Sequence, residues 1–162
     1  MKQHSFFFKL EDIHEKVYER TSLIARSRKV EGILPDEMIL HRQHDTIFKE
    51  LFAQAASDIL DALSGYARST GRPQNVEDES YDNGSWFVAL QMPDSFNTEQ
   101  APAVNTEIKN ALINHILSKW LMMAKPDEAL IYGEYYDKNI TNILFKLSAR
   151  TKVVRTPFYN LP

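Results

Sequence analysis

Cysteine is absent from this chain of 162 residues. That absence excludes thiol nucleophiles, Cys-ligated zinc and any disulfide framework. Long apolar runs are missing too. A run such as Trp120 to Ala124 falls far below the roughly 18 residues that cross a bilayer. At the N-terminus Phe6, Phe7 and Phe8 stand between polar residues, short of the apolar core of about 7–15 residues in an export signal. The sequence therefore reads as soluble, without a cleavable signal or a membrane partner. Nor is there a surplus of positive charge: 19 basic against 22 acidic residues leave a net charge of −3, which argues against a general nucleic-acid coat.

Catalytic signatures are also lacking. The sequence has no Gly-x-Ser-x-Gly elbow, no G-x-G-x-x-G and no glycine-rich loop ahead of Lys-Ser or Lys-Thr, the spacings that present a serine nucleophile or cradle a phosphate. Paired carboxylates occur at Glu11/Asp12, Glu77 to Glu79 and Asp127/Glu128. The first and last sit at helix starts, where the dipole accounts for them. The middle group sits in a loop, a poor place to raise a pKa. The reading is non-catalytic, with no cofactor.

What is present is enough for a core. Hydrophobic residues make up 43% and charged residues 25%, so wholesale disorder is excluded. A single domain of this size buries roughly 68–70% of its unfolded surface. Ser5 to Leu10 suggests a short strand whose aromatic triplet is too uniform for a clean alternating face, so both sides are expected to be partly covered. Ile13, Val17, Leu23 and Ile24 then trace a helical stripe from Glu11 to about Arg28, and Gly32 and Pro35 break it.

Asp45 is placed to cap a second helix, in which Phe48, Leu51, Phe52, Ala55, Ala56, Ile59 and Leu63 recur at three- and four-residue steps to about Tyr66. Gly71 to Gly84 has the composition of an exposed connection. Trp86, Val88, Leu90 and Met92 alternate up to Pro93, a second strand that needs the first as its partner.

Pro102 opens a third helix. Val104, Ile108, Ala111, Leu112, Ile116 and Trp120 form one face, and Ile113, Leu117 and Leu121 widen it. Coverage this broad implies more than one neighbour, inside the domain or across subunits. After Lys125-Pro126-Asp127, a fourth helix spaces Ala129, Gly133, Tyr136, Ile140, Ile143 and Leu147, forming an antiparallel hairpin with the third. Gly133 costs helix propensity, and close approach of another helix is its expected compensation. The expectation is a mainly α (or α+β) domain over residues 1–150, with four principal helices and a small two-stranded antiparallel sheet near 5–10 and 85–92. An extended arm follows over 151–162.

Several groups invite a functional reading. His41-x-x-His44-Asp45 is the only local histidine cluster, and His115 approaches it if the long helices pack so. A metal-dependent enzyme built on these four residues is one alternative. The competing reading has His44 or Asp45 capping the helix and His41 solvated. Ser118 and His115 lie one turn apart with no oxyanion donors implied. Arg26, Arg28 and Lys29 suit a helix C-terminus. Arg150, Lys152 and Arg155 run into an apolar, proline-bearing arm with Val153, Val154, Phe158, Tyr159 and Leu161. Such an arm serves equally as a docking segment or as a lid on its own core. A nucleic-acid-associated regulatory module acting through the three arm bases is a further alternative.

The order of elements adds a likeness. The strand Ser5-Phe-Phe-Phe-Lys-Leu leads into a helix. Phe48-x-x-Leu51-Phe52-x-x-Ala55, the strand Trp86 to Met92 closed by Pro93, the helical pair Leu112 to Trp120 and Ala129 to Leu147, and Arg155-Thr156-Pro157 follow. This order resembles small structural proteins of prophages in gut bacteria and, more loosely, is similar to the head–tail adaptor proteins of tailed phages. The acidic Gly71 to Gly84 stretch departs from the pattern. The resemblance implies a virion assembly component that self-associates, as a ring in such adaptors, and docks on portal or tail proteins in the bacterial cytoplasm or the virion. Ile113, Leu117, Leu121 and the arm residues Val153, Val154, Arg155, Phe158, Tyr159 and Leu161 are the expected interface.

Overall fold

The computed structural model describes residues 2–27, 32, 34–66 and 84–149. In chain order these form β1 (Lys2–Lys9), α1 (Leu10–Ser27), α2 (Asp45–Ala62), β2 (Ser85–Met92), α3 (Ala101–Ala124) and α4 (Pro126–Leu147). Short 3-10 turns occur at Pro35–Met38, Arg42–His44 and Thr98–Gln100. The fold is mainly α with a small antiparallel sheet, as the periodicities require. The Gly71 to Gly84 connection, apart from Gly84, and the arm 151–162 lie outside the described residues.

The two strands pair antiparallel, with Phe6 opposite Val88, Phe7 opposite Phe87 and Phe8 opposite Trp86. Successive strand side chains point to opposite faces. Phe6, Phe8, Trp86, Val88, Leu90 and Met92 accordingly enter the core, whereas Phe7 is 68% exposed. The aromatic triplet alternates after all. The expected coverage of both faces fails at Phe7, which instead leans on its cross-strand neighbour Phe87 at a ring distance of 4.9 Å.

α1 is oriented by charge and tied down by one hydroxyl. Glu11 and Asp12 occupy its first turn and Arg26 its last, matching the dipole at both ends. The Thr21 hydroxyl donates to the Val17 carbonyl at 3.0 Å and accepts from the Leu40 amide at 3.2 Å, holding the following segment on the helix. That segment is also held from α3, where the Trp120 indole N–H donates to the Met38 carbonyl at 2.9 Å. The start of α2 differs from expectation. Asp45 is the first helical residue, and His44 stands in the cap position without a side-chain hydrogen bond to the helix. The preceding 3-10 turn leads the chain directly into the helix, so no cap side chain sets the boundary.

α3 is the centre of the molecule. Its middle, residues 111–118, is buried on every side, because α1, α2, α4 and β1 all pack against it. This explains why its apolar residues go around the helix instead of forming one stripe. Lys125 is the whole of the break between α3 and α4. Asn114 pairs with Asn139 and Glu107 with Lys146, so numbers fall along one helix as they rise along the other, which makes the hairpin antiparallel. The expectation about Gly133 is corrected here. Among the described residues a Cβ built at that position meets nothing within 4 Å, so no described helix presses on it.

Candidate docking surface

The residues expected at an interface divide into two groups. Ile113 is 4% exposed, and Leu117 and Leu121 are fully covered. Ile113 and Leu117 belong to the main core, and Leu121 packs with Ile24, Ala25, Met38 and Ala129 in a second, smaller cluster. Their apolar surface is therefore used up within the chain, because four elements surround α3. Val153, Val154, Arg155, Phe158, Tyr159 and Leu161 lie outside the described residues, as do the arm bases Arg150 and Lys152.

Exposed apolar side chains do exist, but elsewhere. Met122, Met123, Leu130 and Ile131 stand near the tip of the α3–α4 hairpin and Tyr135, Leu144 and Phe145 further along α4, while Phe7, Tyr18, Leu23, Leu34 and Ile47 are exposed on other elements. Met123 is 94% exposed and Phe145 77%, and Met122, Leu130, Ile131 and Tyr135 are also out in solvent. The inner side of α4 carries Ala129, Ile143 and Leu147 in full burial. Leu130, Ile131, Tyr135, Leu144 and Phe145 lie outside that buried stripe and are exposed. That excess was readable from the sequence, as apolar residues left over once the three- and four-residue stripe is assigned. Scattered exposed apolar residues are ordinary; Met122, Met123, Leu130 and Ile131 stand close in sequence at the hairpin end of the two helices, the arrangement expected of a contact surface.

The histidines do not assemble into a centre. His41 and His44 lie edge-to-face with ring centroids 5.9 Å apart. His41 approaches the Asp36 carboxylate at 3.5 Å, and His44 packs on Trp120. His115 is elsewhere: its Nε2 lies 2.7 Å from the Asp58 carboxylate and its ring meets Tyr136 edge-on at 5.0 Å. Among the described residues no group of three or more His, Cys, Asp or Glu side chains is placed to hold a metal ion. The set His41, His44, Asp45 and His115 is thus not brought together. Ser118 is engaged as well, its hydroxyl donating to the His115 carbonyl at 2.7 Å.

Two histidines missed as a pair share one electrostatic property. His14 lies flat on Phe48 at 4.1 Å. Burial lowers its pKa below 6.5, against the backbone carbonyls of Leu40 and His41 and the charge of Asp45, which favour the proton. Burial likewise lowers His115, against the hydrogen bond and charge of Asp58. Both rings bind fewer protons folded than unfolded below pH 6.5. Stability contributed by the neutral rings is present above that pH and is lost as the pH falls through the folded values. Melting temperature is expected to drop between about pH 7 and pH 5.5, and His14→Phe to flatten the drop. A melting temperature unchanged across that window contradicts the assignment.

A polar seam joins the hairpin on its other side. Glu107 accepts from Asn139 Nδ2 at 2.8 Å and Lys146 Nζ at 3.1 Å, while Asn114 Nδ2 donates to Asn139 Oδ1 at 2.8 Å. Burial alone pushes the Glu107 carboxyl upward. The hydrogen bonds from Asn139, Lys146 and Asn142 and the Lys146 charge outweigh it, and its pKa falls below the usual value. The seam fixes the hairpin register.

These elements define an α-helical domain built around one central helix, with an apolar surface at one hairpin tip. Among the described residues, no helix is long and apolar enough to cross a membrane. No family model, no curated protein and no solved structure matches the chain.

Proposed function

We propose that this protein is a non-catalytic assembly component that works by self-association and by docking on partner proteins through the α3–α4 hairpin. The observation that carries the reading is the exposed apolar set at Met122, Met123, Leu130, Ile131 and Phe145. Methionine suits such a surface, being flexible and polarisable enough to fit an irregular partner. The setting within this reading is a phage or prophage virion, as a head–tail adaptor or neck or tail component meeting portal or tail proteins. The element order described above supports that setting.

The test is the mass of the purified chain across a wide concentration range. A mass that rises with concentration is expected, and Met123→Glu with Phe145→Glu should abolish the rise while leaving the far-UV circular dichroism unchanged. A monomer at every concentration, indifferent to both charges, overturns the reading. Co-assembly with a purified portal ring from the same genome tests the setting separately.

A further inference from the structure

A cleft of about 280 Å³ opens between Arg20 of α1 and the polar side of the α3–α4 hairpin. It falls just below the roughly 300–1,000 Å³ of sites for drug-sized ligands, so its scale is that of one small ring or chain. Apart from Ile113 and the ring of Tyr135, the described lining is polar. Among the described residues that lining holds two cations, Arg20 and Lys138, and one carboxylate, Glu107. Lys146 already meets the Glu107 charge at 3.1 Å. The charge left over is positive, and both cations that carry it stand at exposed positions.

Carboxamides supply the rest of the polar surface. Asn139 is fully engaged, donating to Glu107 and accepting from Asn114. Asn114 is only 8% exposed. It gives one N–H to that bond, and among the described residues its Oδ1 takes no hydrogen bond. Asn142 likewise uses its Nδ2, 3.5 Å from Glu107, and leaves its oxygen idle. The side-chain amide of Asn110 has no partner among the described residues. A buried amide oxygen without a donor is costly, so Asn114 calls for a donor from inside the cleft that it lines.

A carboxamide both donates and accepts, as a hydroxyl does, so three of them in one cleft suit a ligand with several hydroxyls. The guanidinium fork of Arg20 matches a carboxylate or a phosphate, and Lys138 adds a compact point charge. Tyr135, 49% exposed and steadied edge-on by Tyr132 at 6.0 Å, offers a flat apolar face to the C–H side of a sugar ring. We infer that this cleft binds a small anionic sugar, with its hydroxyls on Asn110, Asn114 and Asn142 and its carboxylate or phosphate at Arg20 and Lys138. An uncharged sugar leaves the cations unused, and a bare anion leaves the amides unused. The inference stands apart from the self-association proposed above, because none of Met122, Met123, Leu130, Ile131 and Phe145 lines the cleft.

The full chain is titrated with glucuronate and with glucose carrying a terminal phosphate, and with glucose, acetate and inorganic phosphate as partial ligands. At least one of the first two is expected to bind about tenfold or more tighter than glucose and than its own bare anion, the effect of one good polar contact. Which of them does so identifies the anion. Arg20→Gln and Lys138→Gln, both at exposed positions, should each weaken that binding by about tenfold and leave the melting temperature unchanged. Asn114→Leu should weaken it as well, and Asn110→Ala keeps the test open if Asn114→Leu melts early. No binding of either anionic sugar, by calorimetry or ligand-observed NMR, overturns the site. Acetate or phosphate binding as tightly as the matching sugar overturns the part given to the amides. Glucose binding as tightly as both overturns the part given to the cations. Binding that survives all four substitutions lies elsewhere on the molecule and overturns the assignment.

Discussion

Leu112→Ala is expected to lower the free energy of unfolding by about 2–5 kcal/mol, the range for truncating a fully buried leucine. Leu112 is 0% exposed, within the buried middle of α3. The loss has two parts: the transfer free energy of the removed atoms and the cavity left behind. The cavity part is large here because four elements pack around α3, and no single one of them can move inward without losing its other contacts. Against a total stability of roughly 5–15 kcal/mol for a domain, the change is a substantial fraction of the whole. Urea unfolding measures it through the midpoint. Met123→Ala, at a residue in solvent, should stay within about 0.5 kcal/mol. A Leu112→Ala loss no larger than that of Met123→Ala would show that α3 is not the centre of the core.

Glu107→Ala should cost about 1.5–3 kcal/mol, the range for hydrogen bonds to a charged group. Glu107 holds Asn139 and Lys146 of α4 from α3, and its removal leaves a half-buried amide and ammonium without their shared acceptor. The carboxylate is partly screened, with 18% of its side chain exposed, so the lower half of that range applies. Glu107→Gln keeps the shape and an acceptor oxygen and should lose less. The pH dependence has a definite sign. Because the folded pKa lies below the usual 4.5, this stabilisation is present above that pH and disappears as the pH falls through the folded value. Denaturant titrations at about pH 7 and pH 3.5 check both points, and equal destabilisation by Glu107→Ala at the two pH values contradicts the account.

Element types were legible because they depend on local periodicity. The Phe48 to Leu63 spacing specified α2, and the Trp86 to Met92 alternation specified β2, since a helix repeats every 3.6 residues and a strand every two. The histidines were less legible. Nothing near His115 in the sequence points to Asp58, its partner at 2.7 Å, because the contact exists only once α2 lies against α3. The same packing dissolved the suggested grouping of His41 and His44 with His115.

The docking surface shows the division most clearly. Composition and spacing determined that this chain has no cysteine chemistry, forms four long helices and pairs two strands, and carries more apolar residues on its last two helices than one stripe each can use. Which of those residues remain outside was decided only by the packing. The middle of α3 is wrapped on all sides, so Ile113 and Leu117 are spent in the interior, as is Leu121 beyond it, and the surplus falls to Met122 and Met123 at the hairpin tip and to exposed positions of α4. The reason is geometric: a sequence sets how much apolar surface a helix has, but burial is set by how many neighbours that helix acquires.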